Sequence, residues 1–220
     1  PTGARATAAA AVPGGRQPDA AGAAIDRASR AFQRARTVRA TFEQTLSNPV
    51  TGTEARATGE LVLAQPNRVS VRFEQPAGDR VVADGQWLWV YLPSATPGQV
   101  IKLPARGRAV AGVDALGELL TSPRSRYAVS DGGAATVGGR ATRVVLLTPK
   151  AESSPIARAR VWVDDADAAV RQLELTDANG LVRSLRMTAW TVNARVPEAT
   201  FRFTVPDGVR VVDQAGLGGR

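Results

Sequence analysis

In "VRATFEQTLS", residues 38–47, Val38, Ala40, Phe42, Gln44 and Leu46 alternate with Arg39, Thr41, Glu43 and Thr45. That period of two belongs to a half-buried strand. Short runs of the same kind follow almost to the end of the chain: "ATGELVLAQP", "RVSVRFEQP", "DRVVADG", "QWLWVYLP", "GQVIKLP", "SRYAVSD", "RATRVVLLTPK", "IARARVWVDD", "AAVRQLELTD", "LVRSLRMTAW" and "ATFRFTV". Turn residues stand at nearly every join, among them Asp84-Gly85, Pro97-Gly98, Asp131-Gly132-Gly133 and Asn179-Gly180. Many short strands with short connections fold as an antiparallel meander.

Two segments break the pattern. In "PDAAGAAIDRASRAFQRAR", residues 18–36, Asp19 can cap a helix in which Ile25, Ala28 and Phe32 recur at helical spacing. In "AGVDALGELLTSP", residues 111–123, Val113, Leu116, Leu119 and Leu120 share one helical face and Pro123 stops the run. A helix this short is unstable alone and must lie against something apolar. No repeat of fixed period and no second core is visible. The reading is therefore a leader at 1–17, one domain at 18–215 and a flexible tail at 216–220. The opening "PTGARATAAAAVPGG" lacks a basic n-region and a Leu-rich h-region. It reads as a disordered leader left after signal-peptide removal, or as an expression boundary. No stretch reaches the ~20 consecutive apolar residues of a membrane-spanning helix.

Composition removes most chemistry. The chain has no His and no Cys, so the usual general base, proton shuttle, thiolate nucleophile and zinc ligands are missing. Lys102 and Lys150 are the only lysines, and neither belongs to a Ser-x-x-Lys pattern. We expect no catalytic residues, no metal and no cofactor. The net charge of +8 is consistent with an anionic partner, and equally with Arg enrichment that reflects coding composition.

The remaining motifs read as structure. Asp164, Asp165 and Asp167 lack the Gly and the bidentate Glu of a calcium loop and fit a solvated turn. "DGGAATVGGR", residues 131–140, lacks the Lys-Ser/Thr and following helix of a phosphate cradle and reads as a pair of hairpin turns. Arg72-Phe73 and Arg202-Phe203 alternate as ordinary strand residues, so no nucleic-acid partner is expected.

What is left is apolar surface. By parity Val69, Val71 and Phe73, then Trp87, Trp89 and Tyr91, then Leu173, Leu175, Leu185 and Met187 are read as pointing to one side. Residues 87–92 are apolar on both faces, so both must be covered. The 113–120 helix is a natural cover, and a curved sheet closed by a short helix makes a lined pocket.

The order of "RATFEQTL", "GELVLAQPNRVSVRFEQP", "VVADGQWLWVYLP", "ALGELLTSP", "LLTPK" and "FRFTVPDGVRVVDQ" resembles the LolA family of periplasmic lipoprotein carriers, from about residue 25 to Gln214. The resemblance implies a mainly β (α+β) fold, an incomplete antiparallel barrel of about eleven strands under a lid of short helices. It also implies an acyl-chain cavity lined by Phe42, Val71, Phe73, Trp87, Trp89, Tyr91, Leu173 and Met187, with Val113, Leu116, Leu119 and Leu120 as lid. Many relatives carry Arg before Pro-Asn as a lid contact; Gln65 holds that position here. Arg68, nearby, faces the other side by parity. The implied role is a monomeric periplasmic chaperone. It takes lipoprotein acyl chains from an inner-membrane ABC transporter to an outer-membrane receptor or acceptor membrane. A lipid- or lipoprotein-sensing regulatory domain on the same fold is the alternative. A hydrolase would lack bases and nucleophiles.

Overall fold

The computed structural model describes residues 19–105 and 115–213. The expected leader at 1–17, the tail at 216–220 and Val113 lie outside the described residues. Helix α1 spans Ala20–Arg34, and the Asp19 carboxylate accepts the Gly22 amide at 2.8 Å, closing one of the orphan donors of its first turn. Ala21, Ala24, Ile25, Ala28 and Phe32 form its buried stripe, the face that the helical spacing marks.

A meander follows: β1 Thr37–Asn48, β2 Thr53–Ala64, β3 Arg68–Gln75, β4 Arg80–Ala83, β5 Trp87–Tyr91 and β6 Gln99–Pro104. Helices α2 (Ala115–Leu120) and α3 (Pro123–Arg126) come next, then β7 Tyr127–Val137, β8 Arg140–Pro149, β9 Ile156–Asp164, β10 Val170–Asp177 and β11 Val182–Val192. A 3₁₀ turn at Glu198–Phe201 leads to β12 Arg210–Asp213. Among the described residues these strands make one open twelve-stranded sheet in the order β12-β6-β5-β4-β3-β2-β1-β11-β10-β9-β8-β7. Every pairing is antiparallel except that of β12, which lies parallel to β6. The concave side of the sheet carries the main core, against which α1 and α2 pack.

Two expected elements differ. "ATFRFTV" is not a strand: it starts as the 3₁₀ turn after Pro197 and runs on unpaired toward Pro206. Its apolar residues still pack, because Phe201 is buried against Val62 and Ala64 on the convex side. The 131–140 stretch holds one turn, not two. Asp131-Gly132-Gly133 is a bulge inside β7, and only Gly138-Gly139 turns the chain. The bulge needs glycine twice: Gly133 sits at φ +88°, and a Cβ on Gly132 would meet Val144 Cγ1 at 2.8 Å.

The Asp164-Asp165-Asp167 turn joins β9 to β10, and Asp164 is buried rather than solvated. It accepts Arg140 at 2.7 Å, Arg171 at 2.8 Å and the Ala166 amide at 2.8 Å. Burial pushes its carboxyl upward, but Arg140, the Ala166 amide and Arg171 outweigh that and hold it far below the usual carboxylate range.

Candidate functional site

Pairing register decides which side chains enter the concave chamber, since residues opposite one another share a face. One ladder runs Leu63, Val69, Ala83, Leu88 and Leu103, and the next runs Leu61, Val71, Val81, Val90 and Ile101. On the other half Leu185 pairs Leu173 and Arg183 pairs Leu175. Phe42, Val71, Phe73, Leu173 and Met187 thus join one apolar cluster with Leu116, Leu119 and Leu120 of α2. Phe42 and Phe73 meet edge to face at 5.7 Å. Gly59 lies between them in register, and a Cβ there would sit 2.3 Å from the Arg72 carbonyl and 3.0 Å from the Phe42 ring.

Trp87, Trp89 and Tyr91 are elsewhere. Leu88 and Val90 take the inward places of β5, so the three rings stand on the convex face. There Phe203 stacks on Trp89 at 5.5 Å and leans on Tyr91 at 5.9 Å, and Lys102 lies 3.8 Å from the Trp87 ring centre. Both faces of β5 pack: the rings of the bulky face meet the segment leading to β12, and Leu88 and Val90 on the slim face join the main core. In a strand apolar on both sides ring size does not tell inside from outside.

Among the described residues, two of the gaps that border the core meet at one side chain. One, of about 340 Å³, opens between α2 and the turns that end β10 and precede β9; it is lined by Ala115, Ile156, Leu175, Leu181 and Arg183, among others. A small one of about 20 Å³ lies deeper, between Phe42, Leu61, Val71, Phe73 and Leu185. Arg183 borders both. Its Nη1 donates to Gln44 Oε1 at 3.3 Å, and burial pushes its guanidinium below the usual arginine range.

The lid is held by groups that its apolar face does not reveal. Ser29 Oγ of α1 donates to the Leu120 carbonyl at 2.7 Å, tying the C-terminal turn of α2 to α1. Arg126 donates to both the backbone carbonyl and the carboxylate of Glu118 at 2.8 Å, and Lys150 Nζ reaches the Arg124 carbonyl at 2.7 Å. Gln65 is exposed at the rim of another opening, with Phe32, Gln33, Glu118 and Arg126. Among the described residues its side chain makes no hydrogen bond, while its amide donates to the Arg36 carbonyl at 2.9 Å. Arg68 faces away, paired with Glu198 and lying over Phe201.

An "Outer-membrane lipoprotein carrier protein" of Dechloromonas aromatica is 27% identical over 194 residues, covering 87% of this chain and 88% of that protein. One of the same description from Leptothrix cholodnii is 29% identical over 179 residues, 80% of this chain and 79% of that protein. The crystal structure of an uncharacterized conserved protein from Thermus thermophilus shares the fold, with a TM-score of 0.56 at 14% identity over 88% of this chain and 99% of that one. The family model described as "Outer membrane lipoprotein carrier protein LolA" matches residues 33–204, most of the chain, and this protein belongs to that family.

Proposed function

We propose that this protein is a periplasmic carrier of lipoproteins. It holds their acyl chains in the concave chamber, receives them from an inner-membrane ABC transporter and delivers them, as a monomer, to an outer-membrane receptor or acceptor membrane. One observation carries the reading. The concave apolar face is covered by α1 together with α2, a helix of six residues whose Leu116, Leu119 and Leu120 are buried in the same cluster. So short a helix keeps its shape only by those contacts. An acyl chain offers the sheet the same kind of surface, and each CH₂ moved out of water contributes ~0.8 kcal/mol. Cargo and lid therefore compete for one face, and displacement of the lid turns a packed core into a binding cavity.

The opening of about 340 Å³ lies at the lower end of small-ligand cavities, roughly 300–1,000 Å³. It admits the end of a chain before the lid moves. The acyl-chain residues in this reading are Phe42, Val71, Phe73, Leu173 and Met187, with Leu116, Leu119 and Leu120 as lid.

The test is transfer. The protein is loaded with a lipoprotein in spheroplasts, recovered, analysed by native mass spectrometry and mixed with acceptor vesicles. A co-purifying acylated species that moves to the vesicles is the expected result. Recovery of the protein without acyl cargo, and without released lipoprotein above a no-carrier control, would sink the proposal.

A further inference from the structure

We propose that Arg183, oriented by Gln44, is an anchor inside the chamber for the negatively charged group of an acyl-bearing ligand, a carboxylate or a phosphate. This rests on the acyl-carrier reading and goes beyond it, since a chamber for hydrocarbon alone has no use for an inward cation.

The placement is unusual for arginine. Parity puts Arg183 on the same face of β11 as Leu185 and Met187, both buried in the core. Across the sheet it pairs with Leu175 on one side and Leu46 on the other. Partial burial disfavours its charged form, and an anion held against the guanidinium would offset that cost. Yet its side-chain partner among the described residues is the neutral Gln44. The carboxylates that border the same opening are engaged otherwise. Glu118 pairs with Arg126 at 2.8 Å, and Asp177 accepts the Asn179 and Leu181 amides at 2.8 and 2.9 Å. No buried side-chain nitrogen of the described residues lacks a partner, so the remaining N–H donors of Arg183 are accessible to solvent, and the side chain lines both gaps.

Position gives these donors their use. Arg183 is the residue common to the walls of the outer and the deep gap. An acyl chain that runs from the opening toward Phe42 and Phe73 passes it, and a headgroup stopped at the neck meets the guanidinium fork. Gln44 occupies one edge of that fork and leaves other N–H groups for a two-point contact with an oxyanion.

The experiment measures displacement of the neutral probe N-phenyl-1-naphthylamine by dodecyl phosphate, laurate, dodecanol and dodecyltrimethylammonium, the ionic amphiphiles below their micellar concentrations and dodecanol below its solubility limit. Wild-type protein should bind the anions roughly ten- to a hundredfold more tightly than dodecanol, the range of a charge-assisted hydrogen bond. The cationic amphiphile should bind worst. Preference for either anion supports the anchor, and the tighter of the two names the source. Arg183→Gln should bind all four within about threefold of one another by losing that hydrogen bond's advantage, while Arg183→Lys keeps part of the preference. Equal binding of anion and alcohol by the wild type, which needs no variant, overturns the anchor and leaves the carrier standing. So does an anion preference that survives in Arg183→Gln. Failure of every amphiphile to displace the probe overturns both.

Discussion

Phe203 stacks on Trp89 with ring centres 5.5 Å apart and planes 19° from parallel. Trp89 in turn donates its indole N–H to Asp84 at 3.1 Å. The pair joins a residue of the central meander to one that lies more than a hundred positions later in an unpaired segment. It closes the convex face and lies across the sheet from the chamber. Phe203→Ala should lower unfolding free energy by about 1–2 kcal/mol, the ring contact together with part of the burial. Amphiphile binding should stay unchanged. Urea unfolding combined with probe displacement separates the two, and a large loss of binding in a folded variant would place the rings in the site after all.

The lid yields a sharper expectation. Ser29 is buried, and its hydroxyl is the partner of the Leu120 carbonyl. Ser29→Ala leaves that carbonyl without its partner, a penalty of about 1–3 kcal/mol where water cannot replace it. Amide exchange across residues 115–120 should speed up while the central strands keep their protection. Leu119→Lys should do the same more strongly, because Leu119 is 1% exposed. Lid amides that exchange as slowly in these variants as in the wild type would show that the helix is not held by this face.

Asp164 gives the pH dependence. Its folded-state pKa lies below the value of about 3.9 for an unfolded aspartate. A depressed acid contributes stability that is complete above the unfolded value and is lost as pH falls through it toward the folded one. Wild type should therefore lose stability below about pH 4 more steeply than Asp164→Asn. At neutral pH that variant should be less stable by about 2–3 kcal/mol. This is below the roughly 3–5 kcal/mol of a fully buried pair, because Arg140 is half exposed. Thermal midpoints across an acid series check both. Parallel acid limbs for the two proteins would remove Asp164 from the account.

Much of this could be read from residue order. Alternation located β1 through β11, since a half-buried strand must alternate, and the Asp19 cap and Ala-rich stripe located α1. The misplacement of Trp87, Trp89 and Tyr91 has a physical origin. Period two assigns residues to two faces without naming the inner one, and Leu88 and Val90 are as apolar as their neighbours. The glycines at 132–133 read as a turn because a bulge and a turn ask for the same backbone freedom. Residues such as Phe201 and Phe203 alternate like a strand yet find their partners by packing across a sheet rather than along it. Gln44 was legible by parity in the apolar series of its strand, whereas Arg183 went unmarked beside Leu185 and Met187. Their meeting was not legible, because it depends on β1 pairing β11 across more than a hundred residues.

Gln65 occupies the position where the family resemblance implies an arginine that contacts the lid. The side chain is exposed and, among the described residues, makes no hydrogen bond, while Glu118 on the same rim is already paired with Arg126. An arginine introduced here would share a carboxylate that has a partner, at a wet surface. Such pairs contribute about 0–1 kcal/mol. Gln65→Arg should accordingly change the rate of lipoprotein transfer to acceptor vesicles by less than about fivefold. Ser29→Ala acts on a buried contact and should change it more. Both proteins, loaded equally and followed in one transfer assay, give the comparison. If Gln65→Arg has the larger effect, the rim contact rather than the α1–α2 hydrogen bond governs the lid, and the order of importance argued from burial is reversed.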